Sequence, residues 1–148
     1  MSVSSYNTAI ARSGPSAPLL YLEKKGLLSG SILDYGCGKG ADHNYMKSLG
    51  LESDSFDPHW NNKPLDKNGY DTILCTYVLN VIKENEENNV IRSILSLLKD
   101  GGRAYITVRR DIKKDGETSR GFQRMVQLKS PVLKEYKGNY CIYVIDKN

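Results

Sequence analysis

At 148 residues, 39% of them hydrophobic and 26% charged, the chain has the length and make-up of one globular unit around one core. Its formal charge of +4 is too small to argue by itself for a nucleic-acid partner. The most apolar runs, residues 32–35 and 72–82, fall far short of the roughly 20 residues that a membrane span needs, and no signal-type segment opens the sequence, so a cytoplasmic protein without a membrane partner is expected.

In chain order, residues 1–15 (MSVSSYNTAIARSGP) read as an N-terminal arm or lid, and a single domain is expected over 16–148. Ser16 is placed to cap a helix with Pro18 in its first turn, Leu19, Tyr21 and Leu22 on the buried stripe and Gly26 at its end. A first strand follows over residues 31–35. Tyr45, Met46 and Leu49 then recur at helical spacing with Gly50 in a left-handed cap position, which predicts a helix over 41–49. Residues 53–57 form a short second strand and 71–76 a more apolar one, while NNKPLDKNG between them is too short and too rich in turn formers for a helix plus a strand.

Val90, Ile91, Ile94, Leu95 and Leu98 share one face of a helix that Lys99, Asp100, Gly101 and Gly102 terminate, and a strand over 103–108 follows. Residues 122–128 alternate as a late strand would, and VLKEYKGNYCIYVI reads as two strands joined at Lys137, Gly138 and Asn139. The predicted fold is α/β, with a mostly parallel sheet, helices on both faces and an antiparallel C-terminal hairpin.

Gly36, Gly38 and Gly40, directly after the first strand, concentrate conformational freedom where backbone must turn or approach a ligand. Such a turn sets helix N-terminal amides at the carboxyl edge of the sheet, where open α/β folds bind their ligands. Gly36, Gly38 and Ala41 satisfy a loose dinucleotide fingerprint, with Asp57 placed 21 residues after Gly36 to take ribose hydroxyls. Asp34, two residues before Gly36, would repel a pyrophosphate and attract an ammonium and a sulfonium. That pair of charges describes S-adenosylmethionine, which the residues favour over a nicotinamide or flavin.

LDYGCGKG resembles the D-x-G-x-G-x-G loop of class I S-adenosylmethionine-dependent methyltransferases, DSFDP their second-strand acid, and LLKDGGRAYITV the segment before and in their fifth strand. TAIARSGPSAPLLYLEKKGLL, DYGCGKGAD, FDPHW, YVLNVI and RRD together resemble small methyltransferases of bacteriophages and the methyltransferase associated with DNA phosphorothioation. The resemblance implies a Rossmann-like fold and an S-adenosylmethionine cofactor. It implies that Gly36, Gly38 and Gly40 pass under methionine and ribose, that Asp57 accepts both ribose hydroxyls, and that Thr76, Tyr77 and Asn80 line the methyl donor. For Arg12, in the TAI-x-R motif, the resemblance implies a lid role on the methionine carboxylate. The chain departs from the class in lacking a helix and strand between Pro58 and Tyr70, which leaves Trp60 and Leu65 as candidates to cover the adenine.

Methyl transfer depends chiefly on holding the acceptor in line with sulfur and methyl carbon. CTYVLN lacks the N/D-P-P-Y/F run of exocyclic-amine DNA methyltransferases, and Cys75 lacks the preceding proline of cytosine C5 enzymes. With Cys37 and Cys141 it is one of three widely spaced cysteines, too few for a disulfide framework or a zinc site, so no metal is expected. Arg109, Arg110 and Asp111, with Gln123, stand at the expected mouth of the cleft, within a segment (109–124) of six basic and three acidic residues. Asn80 and Arg109 are the candidate catalytic residues, and Arg110, Asp111 and Gln123 the candidates for binding a polar, nucleotide-like or nucleic-acid acceptor. Two rival readings are an enzyme that degrades S-adenosylmethionine and a non-catalytic cofactor-binding accessory protein.

Overall fold

The structure, a computed structural model, describes residues 14–148. Its first helix, α1 (Ala17–Lys24), begins where Ser16 Oγ accepts the Leu19 amide at 3.4 Å and buries Leu19 and Leu22. The strand β1 (Ile32–Tyr35) is buried throughout, as a strand covered on both faces must be. It lies between β2 (Ser53–Phe56) and β3 (Tyr70–Thr76), parallel to both, with α2 (Ala41–Ser48) as the crossover from β1 to β2. After β3 come a 3-10 turn (Leu79–Val81), α3 (Glu84–Leu97) and β4 (Leu98–Arg109), which runs parallel to β3. A two-stranded ribbon of β5 (Gly116–Thr118) and β6 (Gly121–Gln123) stands apart from the main sheet. The hairpin β7 (Val132–Tyr136) and β8 (Tyr140–Asp146) completes the order β2-β1-β3-β4-β8-β7, with β8 antiparallel to β4.

Strand alternation divides the core. Ile32, Leu74, Tyr105 and Ile142 face α1 and α2, where they meet Leu19, Leu22 and Met46. Leu33, Ile73, Ile106 and Tyr143 face the other way, onto Val90, Ile94 and Leu97 of α3. The expected mostly parallel α/β sheet, with helices on both faces and a closing hairpin, is the observed architecture.

Three local expectations are corrected. Leu98 does not end α3 but begins β4, pairing with Tyr70 before the register shifts and Thr72 meets Arg103. Gly101 (φ +81°) and Gly102 therefore serve a bulge in β4 rather than a helix cap, and a Cβ on Gly102 would lie 2.9 Å from the Lys99 carbonyl oxygen. The alternation in residues 122–128 is real, since Arg124 and Val126 are buried and Met125 and Gln127 exposed, but β6 ends at Gln123 and no described strand lies beside the rest.

No helix or strand lies between Asp57 and Gly69 apart from an isolated bridge, Asp57 to Asn61. That absence makes β2 an edge strand, and the segment covers it: Asn61 Nδ2 donates to the Ser55 carbonyl and hydroxyl, and Lys63 pairs with Asp54. Burial alone would raise the Asp54 pKa, but Lys63, the Ser55 amide and the Tyr70 hydroxyl together hold it below the usual carboxylate range. No helix among the described residues is long and apolar enough to cross a membrane.

Candidate functional site

The turn after β1 is anchored at its first two amides, since Gly36 N and Cys37 N both donate to the Phe56 carbonyl, at 2.7 and 2.9 Å. Gly36, Gly38 and Gly40 all adopt left-handed backbone, with φ of +85°, +57° and +90°. An L side chain at these three positions would be strained, which is the local reason for the glycines. Gly40 occupies the N-cap of α2 and supplies no side-chain acceptor there.

Asp34 is 3% exposed on the α1 face of the sheet, in register with Ser55 and Leu74. Asp57 sits just past β2 and is already engaged: Oδ2 accepts the Gly38 amide at 2.9 Å, and Oδ1 accepts those of His59 and Trp60 at 2.9 and 3.1 Å. A carboxylate offers about four lone-pair positions, so one remains open on Oδ2. Gripping two ribose hydroxyls would require release of one amide, and the Gly38 bond on the same oxygen is the natural one to yield. Burial first, then Asp34 and Asp57, pushes the Cys37 thiol up to about 12.

A cleft of about 470 Å³ opens between the glycine turn, the start of α2, Ser55, Trp60 and Asn61. Trp60 is 43% exposed, with the Lys39 ammonium 5.1 Å from its ring centre and His59 edge-on at 4.8 Å. Leu65, the other adenine candidate, instead packs into the α3-side core. His43 lines the cleft, and burial, followed by Lys47, lowers its pKa and favours the neutral ring.

At the end of β3, Thr76 pairs with Thr107 of β4. Tyr77 has φ of +64°, an outlier for so large a side chain, and its amide donates to the Thr107 carbonyl at 2.8 Å. Its side chain packs with the α1-side cluster.

Asn80 is fully buried and committed to main chain. Its Oδ1 accepts the Arg109 amide at 2.7 Å, its Nδ2 donates to the Arg124 carbonyl at 3.0 Å, and its own carbonyl accepts the Arg124 amide at 2.8 Å. Placed so, Asn80 faces backbone rather than the cleft. Arg109 and Asp111 form a two-bond ion pair, at 2.8 and 2.7 Å, which holds the Asp111 carboxyl below its usual range. Arg110 points to the α3 face, donating to the Val126 carbonyl and the Tyr143 hydroxyl, both at 2.7 Å. Gln123, at the end of β6, is partly exposed.

Arg124, which the sequence shows only as one more basic residue, is 7% exposed and donates to the Ile82 carbonyl (2.7 Å) and Glu87 (2.8 Å). Three of the six basic residues in 109–124 are thus tied down internally, so the expected basic patch is much reduced. A second contact without a sequence signal joins Asp42 to Ser16, whose amide and hydroxyl both donate to the carboxylate at 2.7 Å. It fastens the start of α1 to the helix that follows the glycine turn. Arg12 lies outside the described residues.

An open, mostly parallel sheet with a left-handed glycine turn at the carboxyl end of its first strand, and an acid at the end of the next, defines a doubly wound α/β protein. The methyltransferase domain family matches over residues 8–140, and the chain belongs to that family. No curated protein matches it. Among solved structures it is similar to Burkholderia thailandensis 1,6-didemethyltoxoflavin-N1-methyltransferase, determined with bound 1,6-didemethyltoxoflavin and S-adenosylhomocysteine, at 15% identity and TM-score 0.63 over 88% of this chain and 77% of that one. A Pyrococcus horikoshii OT3 protein matches at 14% identity and TM-score 0.58 over 88% of each chain. The chain spans about half (52%) of an Archaeoglobus fulgidus SAM-dependent methyltransferase, at 16% identity and TM-score 0.51 over 63% of this chain. At these identities the likeness establishes the fold.

Proposed function

We propose that the chain is an S-adenosylmethionine-dependent methyltransferase acting on a polar, nucleotide-like acceptor. The observation that carries the cofactor assignment is the juxtaposition of three left-handed glycines with two carboxylates, Asp34 buried beneath the turn and Asp57 bonded to its middle amide. Bare backbone allows a ligand to approach closely, and the acids suit one that carries an ammonium and ribose hydroxyls. In this reading Asp34 attracts the methionine end, Asp57 takes the ribose, and Trp60 flanks the adenine across the cleft. Thr76 and Tyr77 border the methyl donor, and the methionine carboxylate is assigned to Arg12, which lies outside the described residues. S-adenosylhomocysteine bound in the Burkholderia enzyme supports the same cofactor here. The motifs TAI-x-R, DYGCGKG and YVLNVI support a kinship with the small bacteriophage methyltransferases.

The cofactor supplies an electrophilic methyl group; the chain supplies position. Asp111, its pKa lowered by Arg109, is a weak base, and Asn80 has no proton-accepting role. The Arg109–Asp111 pair and Asn80 instead hold the wall beside the acceptor in place. Arg110, turned away in this structure, supports the acceptor wall through Val126, and Gln123 borders it.

Thermal unfolding with S-adenosylhomocysteine, S-adenosylmethionine and NAD tests the assignment. The first two should stabilise the chain by roughly 2.7 kcal/mol at one hundred times their dissociation constants, and NAD should not. Equal stabilisation by NAD, or none by any of the three, rejects it. Consumption of S-adenosylmethionine without an acceptor would turn the reading to a degrading enzyme.

A further inference from the structure

A second group of side chains gathers on the α1 face of the sheet, near the carboxyl ends of the parallel strands but toward the far edge from Asp57. Tyr136 of β7 pairs with Tyr140 of β8, and Tyr140 pairs with Arg109, the last residue of β4. Tyr140 is buried with Ile142 and Tyr105 on the α1 side, and strand alternation sets Tyr136 and Lys134 on that same face. The rings of Tyr136 and Tyr140 stack at 5.9 Å with 29° between planes, and Tyr136 is 56% exposed. From α1, Tyr21 comes alongside: the Lys134 ammonium lies 5.9 Å from the Tyr21 ring and 6.0 Å from that of Tyr136, and Lys25 is 5.8 Å from Tyr21. The neighbouring acids point elsewhere, Glu23 to the Tyr45 hydroxyl and Glu135 to Arg110 on the opposite face.

Between this group and the proposed methyl donor stands Thr107, 1% exposed, whose hydroxyl has no hydrogen-bond partner among the described residues. Its neighbours in the sheet are Thr76 on one side and Ile142 on the other. Across Ile142, Thr107 lies two strand spacings, roughly 10 Å, from Lys134, and Tyr136 is two residues further along β7, about 12 Å from Thr107, which a small molecule can bridge. Charge is also divided along the face, with carboxylates at the cofactor end and two lysines at the tyrosine end.

We propose that Tyr21, Tyr136 and Tyr140, flanked by Lys25 and Lys134, form the acceptor platform, and that the acceptor is a planar aromatic ring bearing an anionic group. The ring stacks on the exposed face of Tyr136, and the lysines meet the anion. This inference rests on the methyltransferase reading and narrows its substrate class. A nucleotide and an aromatic acid share the required chemistry.

Calorimetric titrations of the full chain with S-adenosylhomocysteine present separate the two, using dCMP and 3,4-dihydroxybenzoate, with cyclohexanecarboxylate as an anion lacking a planar ring. At least one aromatic anion should bind saturably, and cyclohexanecarboxylate about tenfold more weakly or not at all. Tyr136→Ala and Lys134→Gln, both on exposed or half-exposed positions, should each raise the dissociation constant about threefold to tenfold. Both variants should keep the affinity for S-adenosylhomocysteine within about twofold. Equal binding of cyclohexanecarboxylate, no effect of either variant, or failure of both aromatic anions while S-adenosylhomocysteine still binds overturns the platform. Failure of S-adenosylhomocysteine to bind the unaltered chain overturns the methyltransferase reading, and the acceptor role with it.

Discussion

Asp57 joins two jobs in one carboxylate. It fixes the glycine turn through Gly38 and the turn toward Trp60 through two further amides, and under the proposed function its remaining acceptor capacity would serve the ribose. Asp57→Ala should therefore weaken S-adenosylhomocysteine about 10 to 100 fold and also cost roughly 1–3 kcal/mol of stability, because three amides lose their acceptor. Asp57→Asn separates the jobs in part: its one carbonyl oxygen can still take the His59 and Trp60 amides while its Nδ2 opposes the Gly38 N–H, so stability should return only partly and affinity not at all. Urea unfolding and calorimetric titration read the two effects, and recovery of both in the asparagine variant would remove the carboxylate from cofactor binding. Cys37 offers a second check on the same turn. With its thiol held up to about 12, iodoacetamide at pH 8 should modify it on the order of a hundredfold more slowly than it modifies the unfolded chain, as peptide mass spectrometry would show.

Among the elements, the 3-10 turn after β3 does more than connect. Through Asn80 it holds the end of β4, and through Asn80 and the Ile82 carbonyl it holds Arg124, so the ribbon of β5 and β6 is clasped to the sheet by buried polar bonds. Removing one partner of such a network leaves the others buried and unmatched. Asn80→Ala and Arg124→Met are each expected to destabilise the chain by about 2–4 kcal/mol, measured by chemical denaturation. Amide exchange in residues 116–123 should rise before that of β3 and β4. If exchange rose equally everywhere, the ribbon would not be a separately held unit.

For the molecule as a whole, thiols and phenols set an alkaline limit. Cys37 and Tyr70 are raised from ordinary values of 9.0 and 10.0 to about 12, Cys37 chiefly by burial and Tyr70 by burial and then by Asp54, and the buried Cys75 is raised as well. Groups with folded values above their unfolded ones keep their protons in the folded chain after the unfolded chain has lost them. Their contribution is whole below pH 9 and declines as pH rises toward 12. Stability should thus fall progressively across that window, and replacing Cys75 by alanine should lessen the slope; a flat profile from pH 8 to 11 would contradict the burial of these groups.

What could be read from residues alone was whatever depends on near neighbours. The glycine turn, the caps of α1 and α2, and the turn at residues 137–139 depend on backbone preferences a few positions long, and the buried stripe of α1 and the apolar run of β3 follow from helix geometry and from a strand covered on both faces. The fold class, and Asp34 and Asp57 flanking the turn, were legible for the same reason. Tertiary structure decided which polar groups were left for a ligand. Asn80 and Arg109, 29 residues apart, and Asn80 and Arg124, 44 apart, meet only because β4 and the ribbon return past the 3-10 turn. No local pattern marks a basic residue as one that will be buried against Glu87, nor Leu98 as the start of a strand, because both outcomes hang on which surface arrives beside it. The gathering of Tyr21 with Tyr136 and Tyr140 has the same origin: three tyrosines from a helix and a hairpin at opposite ends of the chain share a face only once β8 has paired with β4.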